Sequence, residues 1–288
     1  MIDHTWQSEI IENPNDAYVT RIERFLCGKL LLESACGDRI AESRYFIAVI
    51  DGATPKGDRL WDGLRGDAYV ARVMAEAIGE MMPDITAREA IDLINRRVRD
   101  EYRRIGLDFS TMPPQERLQA SVVLSSTVRR EVWCFGDCGC LINGCHYSNP
   151  ILGDRLLADL RAYHIEAARL QGITPEDDGD YGRAQILPLI KLNMLFANAD
   201  SPFGYDIING GEIHAERVKI YPVQAGDRVV LASDGYPKLF DTWRETEDYL
   251  QWALKQDPDC IGLLRGTKGI APGAVSFDDR SYIGFTVL

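Results

Sequence analysis

Apolar positions fall into blocks of two periods along the chain. Residues 44–50, Arg-Tyr-Phe-Ile-Ala-Val-Ile, are β-branched and aromatic with no turn former among them, which predicts a buried strand running straight into Asp51-Gly52. Leu64, Ala68, Ala71, Ala75, Ile78 and Met82 then recur at steps of three or four, the spacing of one helical face, and Pro83 ends that run. Thr86 followed by Glu89 is a capping-box pattern that opens a second helix with Ile91, Ile94, Val98, Tyr102 and Ile105 on its inner face. Period-two blocks return at Ser121 to Val128 and Val132 to Phe135, with Cys140 to Asn143 expected to pair back onto them. Residues 151–171 read as helix, the acidic stretch 176–180 as a solvated loop, Arg228 to Ser233 as a strand, 237–267 as helical, and Ser281 to Val287 as a closing strand. This is not the strict alternation of a parallel βαβ fold. The order predicts an α+β class: a four-layer αββα sandwich of two mostly antiparallel sheets flanked by helices.

Composition narrows the picture. At 288 residues, with 45% hydrophobic and 26% charged, the chain can bury a large core, and no repeat or Pro/Gly/Ser-rich linker divides it, so one domain over 1–288 is expected. The net charge of -12 (32 basic against 44 acidic residues) argues against nucleic acid or an anionic membrane as the main partner, because both require a positive face. An anionic substrate stays open, since bound divalent cations reverse local charge. No apolar stretch approaches the ~20 residues of a membrane span. The polar start Met1-Ile2-Asp3-His4 lacks the layout of a secretion signal, so a cytoplasmic location is expected. Cys134, Cys138, Cys140 and Cys145 form the only local group of the seven cysteines and lack the paired knuckles of a zinc site, which leaves them as small apolar residues on strands.

The candidate chemistry lies where strands stop. Asp51-Gly52, Gly136-Asp137 and Asp234-Gly235 each end a hydrophobic strand, and Asp278-Asp279 immediately precedes the last one. Carboxylates at strand ends can converge on one rim of a sandwich and give the all-oxygen surroundings that Mg²⁺ or Mn²⁺ prefers. A neighbouring Gly permits the sharp turn and lets backbone carbonyls approach a metal. Phosphate-loop, nucleophile-elbow and zinc-protease motifs are all missing from the sequence.

These pieces, in order, resemble the PPM-type (type 2C) metal-dependent Ser/Thr protein phosphatases, in particular compact bacterial-style members. The resemblance rests on Phe46-Ile-Ala-Val-Ile-Asp51-Gly52-Ala, Ala120-Ser121-Val-Val-Leu, Phe135-Gly136-Asp137-Cys138, Leu231-Ala-Ser-Asp234-Gly235-Tyr and Phe277-Asp278-Asp279-Arg-Ser-Tyr-Ile, spread over about residues 25–288. It implies two Mg²⁺ or Mn²⁺ ions, with Asp51 bridging them and the Gly52 carbonyl on one. Asp234 and Asp278 would complete the other ion. Glu33 is implied as a ligand of the second metal, and Lys29, four residues earlier, stands where the family usually carries an Arg for the phosphate. Asp137 matches a residue of a third, weaker site whose usual partner position holds Lys238, which turns the third ion into a doubtful one and makes Lys238 a candidate for phosphate binding.

The implied activity is hydrolysis of phosphoserine and phosphothreonine in a phosphorylated protein by a water activated between the two metals. Departures from the family pattern are Ser34 in place of an Asp, and Ala53-Thr-Pro-Lys-Gly in place of Gly-Gly-His after Asp51-Gly52. They motivate two alternatives: a phosphatase-like binding module that turns over poorly, and a phosphatase of small molecules on the same scaffold. Residues 145–225 carry no motif and are expected to shape substrate access.

Overall fold

The computed structural model describes residues 15–31, 36–173 and 180–288, with Arg21 and Ile22 described by backbone alone. Its strands are β1 (Val19–Cys27), β2 (Asp38–Glu42), β3 (Phe46–Gly52), β4 (Leu60–Trp61), β5 (Leu64–Arg65), β6 (Ala120–Ser126), β7 (Glu131–Phe135), β8 (Gly139–Ile142), β9 (Cys145–Tyr147), β10 (Lys219–Pro222), β11 (Arg228–Ala232) and β12 (Arg280–Val287). The helices are α1 (Gly66–Gly79), α2 (Ala87–Arg104), α3 (Leu152–Leu170), α4 (Tyr181–Asn193) and α5 (Trp243–Gln256). One sheet has the order β1-β12-β11-β8-β9 and the other β10-β7-β6-β3-β2, with antiparallel neighbours throughout.

The strands read as unbroken apolar runs because both faces of both sheets are covered. On β3, Phe46, Ala48 and Ile50 point outward into a cluster with Val70, Met74 and Ile78 of α1 and Ile91, Ile94 and Val98 of α2. Ile47 and Val49 point inward, toward Leu231, Ile283 and Phe285 of the opposite sheet. The outer face of that second sheet, through Val230, Ala232 and Tyr282, packs on Trp243, Leu250 and Leu254 of α5. The layers therefore run helices, sheet, sheet, helix, as the αββα reading expects. Burial of this kind stabilises by roughly 25 cal/mol per Å² of apolar surface, and the alternation along each strand decides which layer a residue joins.

Three details depart from the sequence reading. Leu64 belongs to a small hairpin ahead of the helix: Asp62 and Gly63 adopt φ of 48° and 82°, the turn that joins β4 to β5, so Asp-Gly here is a hairpin signal and α1 begins only at Gly66. The Cys140 strand pairs with β9 and β11, so the chain crosses between the sheets at Gly136-Asp137-Cys138 instead of folding back on β7. Of the expected helical stretch 237–267 only α5 is helix, while the segment 145–225 contains α4, which a Pro at 188 conceals in the pattern. The Thr86–Glu89 capping box forms as expected, with Glu89 N donating to Thr86 Oγ1 at 3.3 Å and Thr86 N to Glu89 Oε2 at 2.9 Å. Cys134 and Cys140 meet between the sheets with their sulfurs 3.9 Å apart. Among the described residues no helix is long and apolar enough to cross a membrane.

Candidate active site

The acidic strand ends gather on one rim of the sandwich. Asp51 is half-buried near the end of β3 and pairs in register with Asp38, the first residue of β2, on one side and Ser121 of β6 on the other. Gly52 leaves no room for a side chain, since a Cβ there would come within 2.3 Å of the Asp67 carbonyl oxygen. Gly52 N donates to the Gly37 carbonyl at 3.0 Å, which clamps the loop before β2 against the end of β3. Asp137 sits at the crossing between sheets, where its backbone N donates to Ser121 Oγ at 3.2 Å and the Ser121 hydroxyl donates to its carboxylate. Asp234 follows β11 and is exposed to the cavity described below. A Cβ on its neighbour Gly235 would lie 2.0 Å from the Asp279 carbonyl oxygen, so Gly is required there too.

The two acids ahead of β12 divide the work. Asp279 is buried and acts as a staple: its carboxylate accepts from Lys29 N at 2.8 Å, Gly37 N at 3.0 Å and Lys29 Nζ at 3.1 Å, tying the ends of β1 and β12 to the entrance of β2. Asp278 accepts from Lys29 Nζ at 3.2 Å on Oδ1, and its Oδ2 pairs with Lys268. Burial pushes the Asp278 carboxyl up, but the Lys268 and Lys29 ammonium groups outweigh it and hold the group at about 2.

The remaining carboxylates move the other way. Burial, then the charges of Asp234, Asp38, Asp278 and Asp137, raise Asp51 well above the carboxylate range. Burial raises Asp38 to about 8 against the hydrogen bonds of Ser233 and Ser281, with Asp279 and Asp278 adding to the rise. Asp234 lies deep among protein atoms although the cavity reaches it, and burial with Asp278 and Asp137 brings it to about 7. Asp137 is raised as well, chiefly by burial. A cluster of this kind lacks positive charge.

A cavity of about 150 Å³ opens on these groups and is lined by Asp51, Gly52, Asp137, Asp234 and Asp278. Three cations line it as well: Lys56 from the loop after β3, Arg183 from α4 and Lys268 from the loop after α5. An adjoining cavity of about 300 Å³ shares Asp137, Asp154, Asp234, Lys268 and Asp278.

The structure thus brings together Asp51, Gly52, Asp137, Asp234 and Asp278. Glu33 lies outside the described residues. Lys29 reaches Asp278 and Asp279 but does not line either cavity. Lys238 is exposed and lies over the rings of Phe240 at 4.8 Å and Tyr249 at 5.2 Å; it lines neither cavity, although its neighbours Pro237 and Leu239 line the second. Sequence reasoning missed Asp38, Asp154, Lys56, Arg183 and Lys268. Asp38 had a signal: Gly37-Asp38 opens a short strand that pairs back onto the Asp51 strand and puts the two acids face to face. Asp154, in the first turn of α3, accepts from Asn193 Nδ2 at 3.0 Å, and burial followed by the Asp234 charge raises it to about 6.

Among the described residues, no three His, Cys, Asp or Glu side chains form a group ready to hold a metal ion as they stand. The donor chemistry nevertheless fits hard divalent cations, since the acidic groups lining the cavity offer carboxylate oxygens. Both oxygens of Asp278 carry an ammonium partner, Oδ1 from Lys29 and Oδ2 from Lys268.

No family model matches the chain, and no curated protein does. Solved structures do match. The chain is similar to serine/threonine phosphatases. The catalytic domain of the phosphatase PstP, in complex with two manganese ions, is 14% identical over 94% of this chain and 99% of that one, with a TM-score of 0.48. The PPM Ser-Thr phosphatase MsPP from Mycobacterium smegmatis, in complex with cacodylate, is 14% identical over 94% and 99%, with a TM-score of 0.47. The serine/threonine phosphatase Stp1 from Staphylococcus aureus is 10% identical over 98% and 100%, with a TM-score of 0.47.

Proposed function

We propose that this chain is a metal-dependent phosphatase that hydrolyses phosphate monoesters, with phosphoserine and phosphothreonine of proteins as the substrate class. The observation that carries the reading is the meeting of Asp38, Asp51, Asp137, Asp234 and Asp278 on one rim, at a cavity that Lys56, Arg183 and Lys268 also line. Asp51, Asp234 and Asp278 are the residues that would hold the pair of Mg²⁺ or Mn²⁺ ions. Asp38, opposite Asp51, joins the Gly52 carbonyl as a further candidate. When bound, such a pair supplies the Lewis acidity that makes a water nucleophilic near neutral pH and offsets charge on the phosphoryl oxygens.

The chain's own residues do the rest. Asp279 and Gly37 fix the relative position of the two sheets' acids. Lys29 holds Asp278 in place from behind as a positioning cation instead of touching phosphate, and the cavity cations are left to orient the anionic substrate. An ion on Asp278 would share that carboxylate with the Lys29 and Lys268 ammonium groups.

The Lys268–Asp278 pair also favours a second reading, a phosphatase-like binding module with poor turnover. Hydrolysis of an aryl phosphate and of phosphopeptides, with Mn²⁺ titrated in, separates the two. Turnover that rises with Mn²⁺ and drops by about 10²-fold or more in Asp51→Asn and Asp234→Asn is expected. A wild type inert toward every ester at saturating Mn²⁺ returns the binding module, and full activity in Asp51→Asn removes the site.

A further inference from the structure

Lys56, Arg183 and Lys268 come from three separate segments, yet all face the same cavity. Their placement is built, not incidental. Arg161 of α3 is 2% exposed; its Nε bonds to the Asp180 carboxylate at 2.9 and 3.0 Å, and its Nη1 and Nη2 donate to the carbonyls of Cys260 and Asp259, each at 2.9 Å. Asp180 in turn caps α4 by accepting from Arg183 N at 2.9 Å, and accepts from Gly269 N at 2.6 Å. One buried ion pair therefore fixes both the start of the helix that carries Arg183 and the loop that carries Lys268. Arg183 Nη1 then donates to the Thr267 carbonyl at 2.8 Å, closing the two segments on each other.

The charge on this wall is only partly answered. Lys268 pairs with Asp278, but among the described residues neither Lys56 nor Arg183 makes an ion pair. The Lys56 ammonium donates only to the Thr54 carbonyl. The charges of Asp278 and Asp154 act on both Lys56 and Arg183, and Asp180 acts on Arg183 as well, but none of these acids pairs with either cation. Burial, reinforced by Arg183 and Lys268, brings Lys56 down to about 7. Three cations held together at a cavity wall repel one another, and an anion placed among them relieves the repulsion.

We propose that Lys56, Arg183 and Lys268 form an anion subsite beside the hydrolytic carboxylates, and that the preferred substrate is a phosphomonoester with a second anionic group close to the scissile phosphate. The second group is a carboxylate or another phosphate. The subsite's meaning for substrate choice rests on the phosphatase reading, whereas its capacity to hold an anion does not. Arg183 offers a planar fork suited to either anion, and the two lysines add point charges from the other sides.

Titration of inorganic phosphate into the full chain at low salt, with divalent cations chelated, tests the subsite without any turnover. Saturable binding is expected in the wild type, with loss of about tenfold or more in affinity in Lys56→Met and in Arg183→Met. Lys191→Met, on the exposed side of the same helix, is expected to bind as the wild type does. Circular dichroism on each variant separates lost binding from lost fold, and Arg183→Lys, which keeps the charge, is expected to recover part of the affinity. Absence of binding in the wild type, or equal affinity in all variants, overturns the proposal. Paired substrates then test selectivity: phosphoserine peptides with Asp or Asn beside the phosphoserine, and a sugar bisphosphate against its monophosphate. A KM lower by about tenfold for one doubly anionic member identifies the source of the second anion, and that ratio should collapse toward one in Arg183→Met. Equal KM within both pairs overturns the substrate assignment. If no ester is turned over, the phosphatase reading fails and the phosphate titration alone decides the subsite.

Discussion

At the residue scale, proton affinities in the site run in opposite directions within a few ångströms. Asp278 is held at about 2 by two lysines, while burial, and then the charges of Asp278 and Asp137, bring Asp234 to about 7. Lys56 gives the cleanest test of such stored repulsion. Its ammonium group falls from an ordinary value of 10.5 to about 7. For a base whose folded value is depressed, the penalty is absent above the unfolded value, grows as pH falls toward the folded value and is constant below it. Lys56→Met should therefore raise the melting temperature by roughly a few degrees below pH 7, and the gain should fade as pH approaches 10.5. Thermal unfolding of both proteins across that range checks the slope; a gain that grows with pH contradicts the assignment. Stability given up at a binding wall is a common trade in functional sites.

At the element scale, the Arg161–Asp180 pair stands out because it serves α3, α4 and the loop after α5 together. Removing one partner of a buried ion pair leaves an uncompensated charge and costs about 3–5 kcal/mol. That cost should fall locally. In Arg161→Met, amide exchange is expected to quicken across α3, α4 and residues 259–269, while the strands of both sheets keep their protection. Uniform loss of protection would instead mean that these helices are integral to the sandwich. The elements were unequally legible. α2 announced itself by its capping box and period, and β3 by an apolar run that only a strand covered on both faces produces. β8 was placed in the wrong sheet, since a short strand carries no mark of its partner, and α4 was hidden by Pro188. The hairpin at Asp62-Gly63 was absorbed into a helical period that merely continued through it.

At the scale of the whole molecule, the fold class was readable because two sheets covered on both faces leave unbroken apolar runs, and Asp51, Asp137 and Asp234 were readable because each stands at a strand end beside a Gly. Glycine at 52 and 235 faces carbonyl oxygens that no side chain could displace, so a local rule pointed to a distant neighbour. The cations were not readable. Lys56, Arg183 and Lys268 lie far apart in sequence and only the packing of α3 and α4 unites them; Lys29 and Lys238 were both candidates for phosphate by position, yet one props Asp278 and the other rests on aromatic rings. Asp38 and Asp51 belong to one sheet, Asp234 and Asp278 flank strands of the other, and Asp137 rides the crossing between them. The acids thus straddle the boundary along which the sandwich would split. Cations held there would have to be surrendered before the sheets could separate, so the proteins with and without Mn²⁺ should differ mainly in how fast they come apart and little in how fast they assemble, a contrast that stopped-flow unfolding and refolding would register as movement of one chevron arm alone.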